Sequence, residues 1–372
     1  MLHQLASGRA KGQAKGQGKG CGNAGLCLLC MMMKDFLPHH ALRNAHCMTI
    51  AAALWPRRFP LLPASQIRLF EVEPGTQVRG ECHWQDRPAE HPSILLVHGL
   101  EGSSESGYML GTAEKAFLAG FNVVRLNQRN CGGTEHLTET LYHSGRSGDL
   151  RAVTAELAGN DGLPEIFVAG FSMGGNLVLK MAGEMGDAAP MELRGFAAVA
   201  PSFDLAACAR ALEEPRNFIY ERYFVRRLKR WMRQKARLYP ARYAGVRNAM
   251  LRGIHNVREF DDAITAPFSG FRGAADYYAR ASAMPLAGKI GRPTLILTAQ
   301  DDPFVPFDSF ARPEVAENPN IWLLAPRYGG HCGFISAENG AERFWAESRL
   351  VEFFHEHSVD QSGAYVRSRA AL

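Results

Sequence analysis

No stretch of this 372-residue chain approaches the roughly 20 consecutive apolar residues that a bilayer-crossing helix requires. The longest early apolar run, 26–33, has the length of a signal-peptide core. It lacks a small-residue cleavage site and runs straight into Lys34 and Asp35, so export is not expected. Cysteine is present without a pattern. The eight are scattered through a long chain rather than set at the spacings of a disulfide framework, which points to reduced thiols in a cytoplasmic protein. Cys27 and Cys30 form a lone C-x-x-C with no second ligand pair at zinc-site spacing, so no metal is expected. Acid is missing from two places. Residues 1–30 hold four basic side chains and no acidic one, and residues 216–258 hold thirteen Arg or Lys against Glu221 alone. With a net charge of only +5, the remaining chain is acidic, and the positive charge belongs to local surfaces.

Residues 1–30 are rich in Gly, Lys, Gln and Ala and cannot bury enough apolar surface to offset the entropy of ordering. A disordered tail is expected there. From Gln66 the pattern turns to strands separated by helices. Residues 67–72 and 78–84 read as a hairpin-like pair, and 93–97 is a continuous apolar run, as a strand covered on both faces should be. Further strands are expected at 121–126, 165–169, 195–200, 294–298 and 321–324, with helices at 108–119, 147–158, 174–185 and 339–356. This alternation implies an α/β fold, a mostly parallel eight-stranded sheet with helices on both faces. It breaks once, at 202–287, where the chain becomes helical, aromatic and basic. An insertion of that length after the sixth strand would sit above the strand ends as a lid. The expected division is a tail at 1–30, core at 36–201, lid at 202–287, core at 288–358 and a tail at 359–372.

Gly170-Phe-Ser-Met-Gly174 follows an expected strand and opens an expected helix, the context of a nucleophile elbow. The serine in such a turn is strained, and both flanking positions need minimal side chains; Gly170 and Gly174 provide them. Ser172 is the candidate nucleophile. A serine hydroxyl needs a base, and the base an orienting acid. Of the downstream histidines, His331 sits in Tyr328-Gly-Gly-His-Cys-Gly333, a glycine-flanked loop after the last strand. His255 falls in the insertion, and His355 and His357 fall on a polar C-terminal helix. The acid should follow the strand at 294–298, where Asp301 and Asp302 compete. Asp302 stands three residues after Ala299 and is selected, with Asp301 as a turn-former. Asp204 is a remoter candidate that reads better as a helix cap. Two backbone N–H donors must face the oxyanion. Met173, after the nucleophile, and Leu100, in His98-Gly-Leu-Glu-Gly-Ser-Ser104, are the candidates; His98 reads as a structural turn residue.

With those residues in place, the chain resembles the YheT-like branch of the α/β-hydrolases from about Phe36 to its end. Leu42-Arg-Asn-Ala-His-Cys-Met-Thr49, Asn127-Gln-Arg-Asn-Cys-Gly-Gly133 and Tyr142-His143-Ser144-Gly145 with Asp149-Leu150 match blocks of that branch. Phe260-Asp-Asp-Ala-Ile-Thr-Ala-Pro-Phe-Ser-Gly-Phe271, continuing to Tyr277-Tyr278 and Ala281-Ser282, is similar to its most specific block. The branch usually has glycine where Asn130 stands and glutamine where Met48 stands. The resemblance implies hydrolysis of short- to medium-chain acyl esters, acyl transfer to alcohols in some members, and no metal or cofactor.

Residues 218–238 form a basic amphipathic helix by their spacing: Phe218, Val225, Leu228 and Met232 recur on one face, Arg222, Arg226, Lys229, Arg233 and Arg237 on another. Three readings follow. The apolar face packs over the catalytic domain with the charges solvated, or the helix meets an anionic membrane surface, or it binds nucleic acid, for which no reading module accompanies the charge. The expectation is a cytoplasmic serine carboxylesterase acting on a small-molecule or lipid acyl ester, without nucleic acid. Its rivals are an acyltransferase on the same triad and a non-catalytic binder using the lidded pocket.

Overall fold

The computed structural model describes residues 34–359. The expected tail at 1–30, with Cys27 and Cys30, lies outside the described residues, as does all but the first residue of 359–372. In chain order the main elements are α1 (Ala45–Leu54), β1 (Gln66–Glu73), β2 (Thr76–His83), β3 (Ser93–Val97), α2 (Gly107–Leu118), β4 (Asn122–Leu126), α3 (Ser147–Gly159), β5 (Ile166–Phe171), α4 (Met173–Met185) and β6 (Leu193–Val199). Then come α5 (Leu205–Leu212), α6 (Phe218–Leu238), α7 (Ala274–Ala281), β7 (Thr294–Leu297), β8 (Ile321–Leu324) and α8 (Trp345–His357).

The eight strands form one sheet in the order β1-β2-β4-β3-β5-β6-β7-β8. β2 is antiparallel to β1 and β4; every other neighbouring pair is parallel. Every residue of β3 and β5 is buried, because α2 with α8 and α3 with α4 cover the sheet. Each large apolar side chain so buried stabilises the fold by about 1.5–3 kcal/mol. β3 lies between β4 and β5, so successive crossovers depart from it in opposite directions. A crevice opens at such a switch point, beyond the carboxyl ends of the strands. The loops carrying Leu100, Ser172, Asp302 and His331 follow β3, β5, β7 and β8 and meet there.

Between β6 and β7 the chain inserts α5, α6, short turns at Asn248–Gly253 and Val257–Phe260, a π-helical stretch at Asp261–Thr265, and α7. Along α6, Val225, Leu228, Trp231 and Met232 are buried while Arg222, Arg226, Arg230 and Arg237 are exposed, as the periodicity requires. The stripe is not packed to its end: Phe218 is 58% exposed and Ile219 beside it 69%. Lys235 is fully buried, its ammonium donating to the carbonyls of Glu135 and Thr138. Burial pushes that amine down to about 8.

Two elements depart from the spacing. The last helix starts at Trp345 rather than 339, because the preceding segment doubles back: Ser336 N–H donates to Arg343 and Ile335 bridges to Phe344. The helix α1 has no counterpart among the expected elements. Asn44 caps it, accepting from Cys47 N–H at 3.1 Å.

Candidate active site

Ser172 occupies the turn between β5 and α4 with φ 53° and ψ −118°, a left-handed conformation that side chains rarely adopt. Its amide donates to Val199 O at 2.9 Å and its carbonyl accepts from Asn176 and Ser202, so the strained turn is held from both sides. The flanking glycines are required by space. A Cβ at Gly170 would collide with the backbone of Gly174, and one at Gly174 with the carbonyls of Val97 and His98.

His331 and Asp302 lie in line with this hydroxyl. Ser172 Oγ is 2.9 Å from His331 Nε2, and His331 Nδ1 is 2.8 Å from Asp302 Oδ2. In the tautomer that satisfies both, Nδ1–H donates to the carboxylate and Nε2 accepts the serine proton. The other oxygen of Asp302 accepts from Phe304 N–H and Val305 N–H at 3.1 and 2.9 Å, which fixes the carboxylate plane. Burial pulls the His331 pKa down, and the Asp302 carboxylate outweighs it, leaving the imidazole more basic than free histidine. Asp301 takes a different part: it accepts from Gly330 N–H at 2.9 Å and shapes the histidine loop. Asp204 caps α5, accepting from Ala207 N–H. His357 bonds Phe353 O within α8, and His255 lies in the insertion; neither joins the relay.

Leu100 and Met173 both line the cavity beside Ser172, and their amide N–H groups meet no acceptor among the described residues. The turn before Leu100 is tight, since a Cβ on Gly99 would sit 3.1 Å from that of Ser172. His98 holds it there. Fully buried, its Nδ1–H donates to Gly99 O at 2.8 Å while Nε2 accepts from Gln128 N–H at 3.1 Å. Burial pushes its pKa down to about 4, so it is a neutral strut.

Several residues support the site in a way that their spacing does not reveal. Thr49, on α1, accepts from His331 N–H at 2.9 Å, and its own hydroxyl donates to Ala45 O at 2.8 Å. Met48 accepts from Ile335 N–H at 3.3 Å through sulfur. A Cβ on Gly330 would strike Ala45 O and Thr49 Oγ1, so the histidine loop is seated directly on α1. His46 of the same helix is 3.2 Å from the Tyr220 hydroxyl of α6. The Tyr220 ring packs on Phe304, and Phe304 lies 4.1 Å from the His331 ring. The Asn44–Thr49 block is visible in the sequence; that it joins the histidine loop to the insertion is not. Asn130, where a glycine is usual, has φ 65°, which asparagine tolerates better than most residues.

The cavity next to Ser172 has a volume of about 100 Å³ and a largely apolar wall, to which α6 contributes Phe224, Leu228 and Trp231. Among the described residues no group of three or more His, Cys, Asp or Glu is placed to hold a metal ion. No described helix is long and apolar enough to cross a membrane.

A doubly wound sheet with a strained serine at its switch point, and a histidine and an aspartate in sequence behind it, defines an α/β hydrolase. The comparisons with known proteins agree. The sequence profile of the alpha/beta hydrolase fold matches residues 92–337. YheT of Escherichia coli K12 is 32% identical over 322 residues, covering 86% of this chain and 92% of that protein. The human phospholipase ABHD3 is 30% identical over 66% of this chain and 59% of its own length. A soluble variant of monoglyceride lipase from Saccharomyces cerevisiae superposes with a TM-score of 0.54 over 82% of this chain and all of that one; at 15% identity it shares the fold. The chain belongs to the α/β-hydrolase family, within its esterase- and lipase-like YheT branch.

Proposed function

We propose that this chain is a serine carboxylic ester hydrolase acting on short- to medium-chain acyl esters. The observation that carries the reading is the unbroken hydrogen-bonded line from Ser172 through His331 to Asp302 at the mouth of an apolar cavity. Ser172 Oγ attacks the ester carbonyl as His331 Nε2 takes its proton, and Asp302 stabilises the imidazolium so formed. The amides of Leu100 and Met173 receive the negative charge of the tetrahedral intermediate. Imidazolium returns the proton to the departing alkoxide. Water, deprotonated by the same imidazole, then releases the acyl group as the free acid; an alcohol in its place would give an ester.

The cavity of about 100 Å³ is smaller than a void of about 150 Å³ that holds a benzene ring, which suits the short end of the acyl range. Helices α5 to α7 close over the crevice as a lid, and a longer chain requires α6 to shift. The exposed Phe218, Ile219 and Tyr223 beside Arg222 and Arg226 also suit α6 to an anionic lipid surface. Co-sedimentation with phosphatidylglycerol vesicles, lost in Phe218→Ser/Ile219→Ser, tests that contact.

The central reading is tested with a fluorophosphonate probe and p-nitrophenyl esters from acetate to palmitate. Wild type should label and turn over the short esters, and Ser172→Ala should do neither. An unlabelled wild type would instead favour a binding protein.

A further inference from the structure

The hydrolytic scheme leaves one charged group in the cavity without work. Asp261 opens the π-helical stretch Asp261–Thr265 and lines the same cavity as Ser172, keeping part of its surface accessible. Its Oδ1 accepts from the Thr265 hydroxyl at 2.7 Å and its Oδ2 from the Tyr278 hydroxyl at 2.8 Å. No lysine or arginine forms an ion pair with it among the described residues. Arg258, a contributor to its electrostatic environment, is committed to Glu213 at 2.7 and 3.2 Å. The histidine in the cavity wall is no counter-ion either. His143 is held neutral by burial and by Arg146 and Arg129, its pKa pushed down to about 3.

A carboxylate in an apolar wall is costly, and burial raises Asp261 to about 6. Tying Thr265 to Tyr278 does not require that cost, because an asparagine could bond both hydroxyls without a charge. What the carboxylate adds is a negative charge and spare lone pairs on both oxygens, in a space the substrate must share. π-Helical turns recur where a helix is reshaped around a functional group. Tyr277, also in the wall, accepts from Ser144 N–H at 3.0 Å and keeps its own proton to donate.

We propose that Asp261 is the anchor of a second recognition site within the cavity, one that binds a hydrogen-bond donor, hydroxyl or ammonium, carried by the ester near its carbonyl. The substrate class is then a short ester bearing such a donor, as in a polyol monoester or a hydroxyacyl ester, rather than a plain aliphatic one. This rests on the proposed hydrolysis at Ser172 and narrows its substrate.

The test uses the full chain and esters matched in size. Ethyl butyrate is compared with ethyl 3-hydroxybutyrate and ethyl 3-aminobutyrate for a donor on the acyl side, and propyl butyrate with glycerol monobutyrate for one on the alcohol side. In at least one comparison wild type should favour the donor-bearing ester in kcat/KM by about tenfold or more, because a pocket built to bond a donor rejects the analogue without it. Asp261→Asn should cut that ratio about tenfold, and Asp261→Leu should invert it. Ratios near one for wild type in every comparison, or a ratio kept in Asp261→Asn, would overturn the proposal. If the variants do not fold, competitive inhibition of wild type by butane-1,3-diol against butan-1-ol carries the same comparison: stronger inhibition by the diol supports the site, and equal inhibition overturns it. Hydrolysis without discrimination refutes only this inference, whereas no hydrolysis and no fluorophosphonate label refutes the activity beneath it.

Discussion

Replacing Thr49 by valine keeps the side-chain shape and removes one oxygen. That oxygen accepts the His331 amide proton at 2.9 Å, in a loop whose Gly330 has no room to move toward α1. A partly buried N–H left without an acceptor costs about 1–3 kcal/mol. If the loop avoids this by turning its amide elsewhere, the imidazole moves with it and the full cost appears as the energy needed to restore the reactive arrangement. By transition-state arithmetic kcat then falls about 5- to 150-fold. Thr49 does not line the cavity, so KM should change little. The assay is steady-state hydrolysis of p-nitrophenyl acetate by wild type, Thr49→Val and Thr49→Ser, with thermal midpoints measured alongside. Serine keeps the oxygen and should restore most of kcat. A valine variant with a lowered midpoint and unchanged kcat would refute the argument, because the bond would then hold the fold without positioning the base.

The remaining expectations concern charge. Asp302→Asn should lower kcat by about 10⁴-fold, the scale set by other enzymes with this triad. Because Asp302 raises the His331 pKa and the protonated imidazole cannot accept a proton, wild-type kcat/KM should rise along a limb above pH 6.5; in the variant that limb should move to lower pH. His83, His98 and His143 are held neutral, with pKa values pushed to about 4, 4 and 3, chiefly by burial and, for the first and last, by nearby arginines. The unfolded chain takes up their protons below about pH 6.5 and the folded one does not. Stability present above 6.5 should therefore be lost as the pH falls toward 4, by at most about 1.4 kcal/mol per pH unit for each histidine. Urea midpoints between pH 7 and 4 measure this, and His83→Gln should flatten the slope.

The parts legible in the sequence share a cause. Ser172 and His331 announce themselves because a strained or crowded backbone needs glycine on either side, and glycine is visible. The strands stand out as unbroken apolar runs because both sheet faces are covered, and α6 because its burial repeats every turn. The parts that were not legible depend on contacts between distant segments. Thr49 bonds a backbone amide 282 positions away, and no periodicity encodes that. Lys235 sits on a helix dense with solvated cations, yet two carbonyls from the loop before α3 draw it inside. Asp261 lies in a block that the family resemblance picks out, but only the packed insertion brings it into the cavity wall.

The seating of the histidine loop on α1 ties the reach of the imidazole to a segment that lies outside the sheet. The loop and the helix are 282 positions apart at their bond, so the imidazole takes its place only where two remote segments pack together. A change in that first helix would therefore be felt at Ser172 through the imidazole, without touching any wall of the cavity.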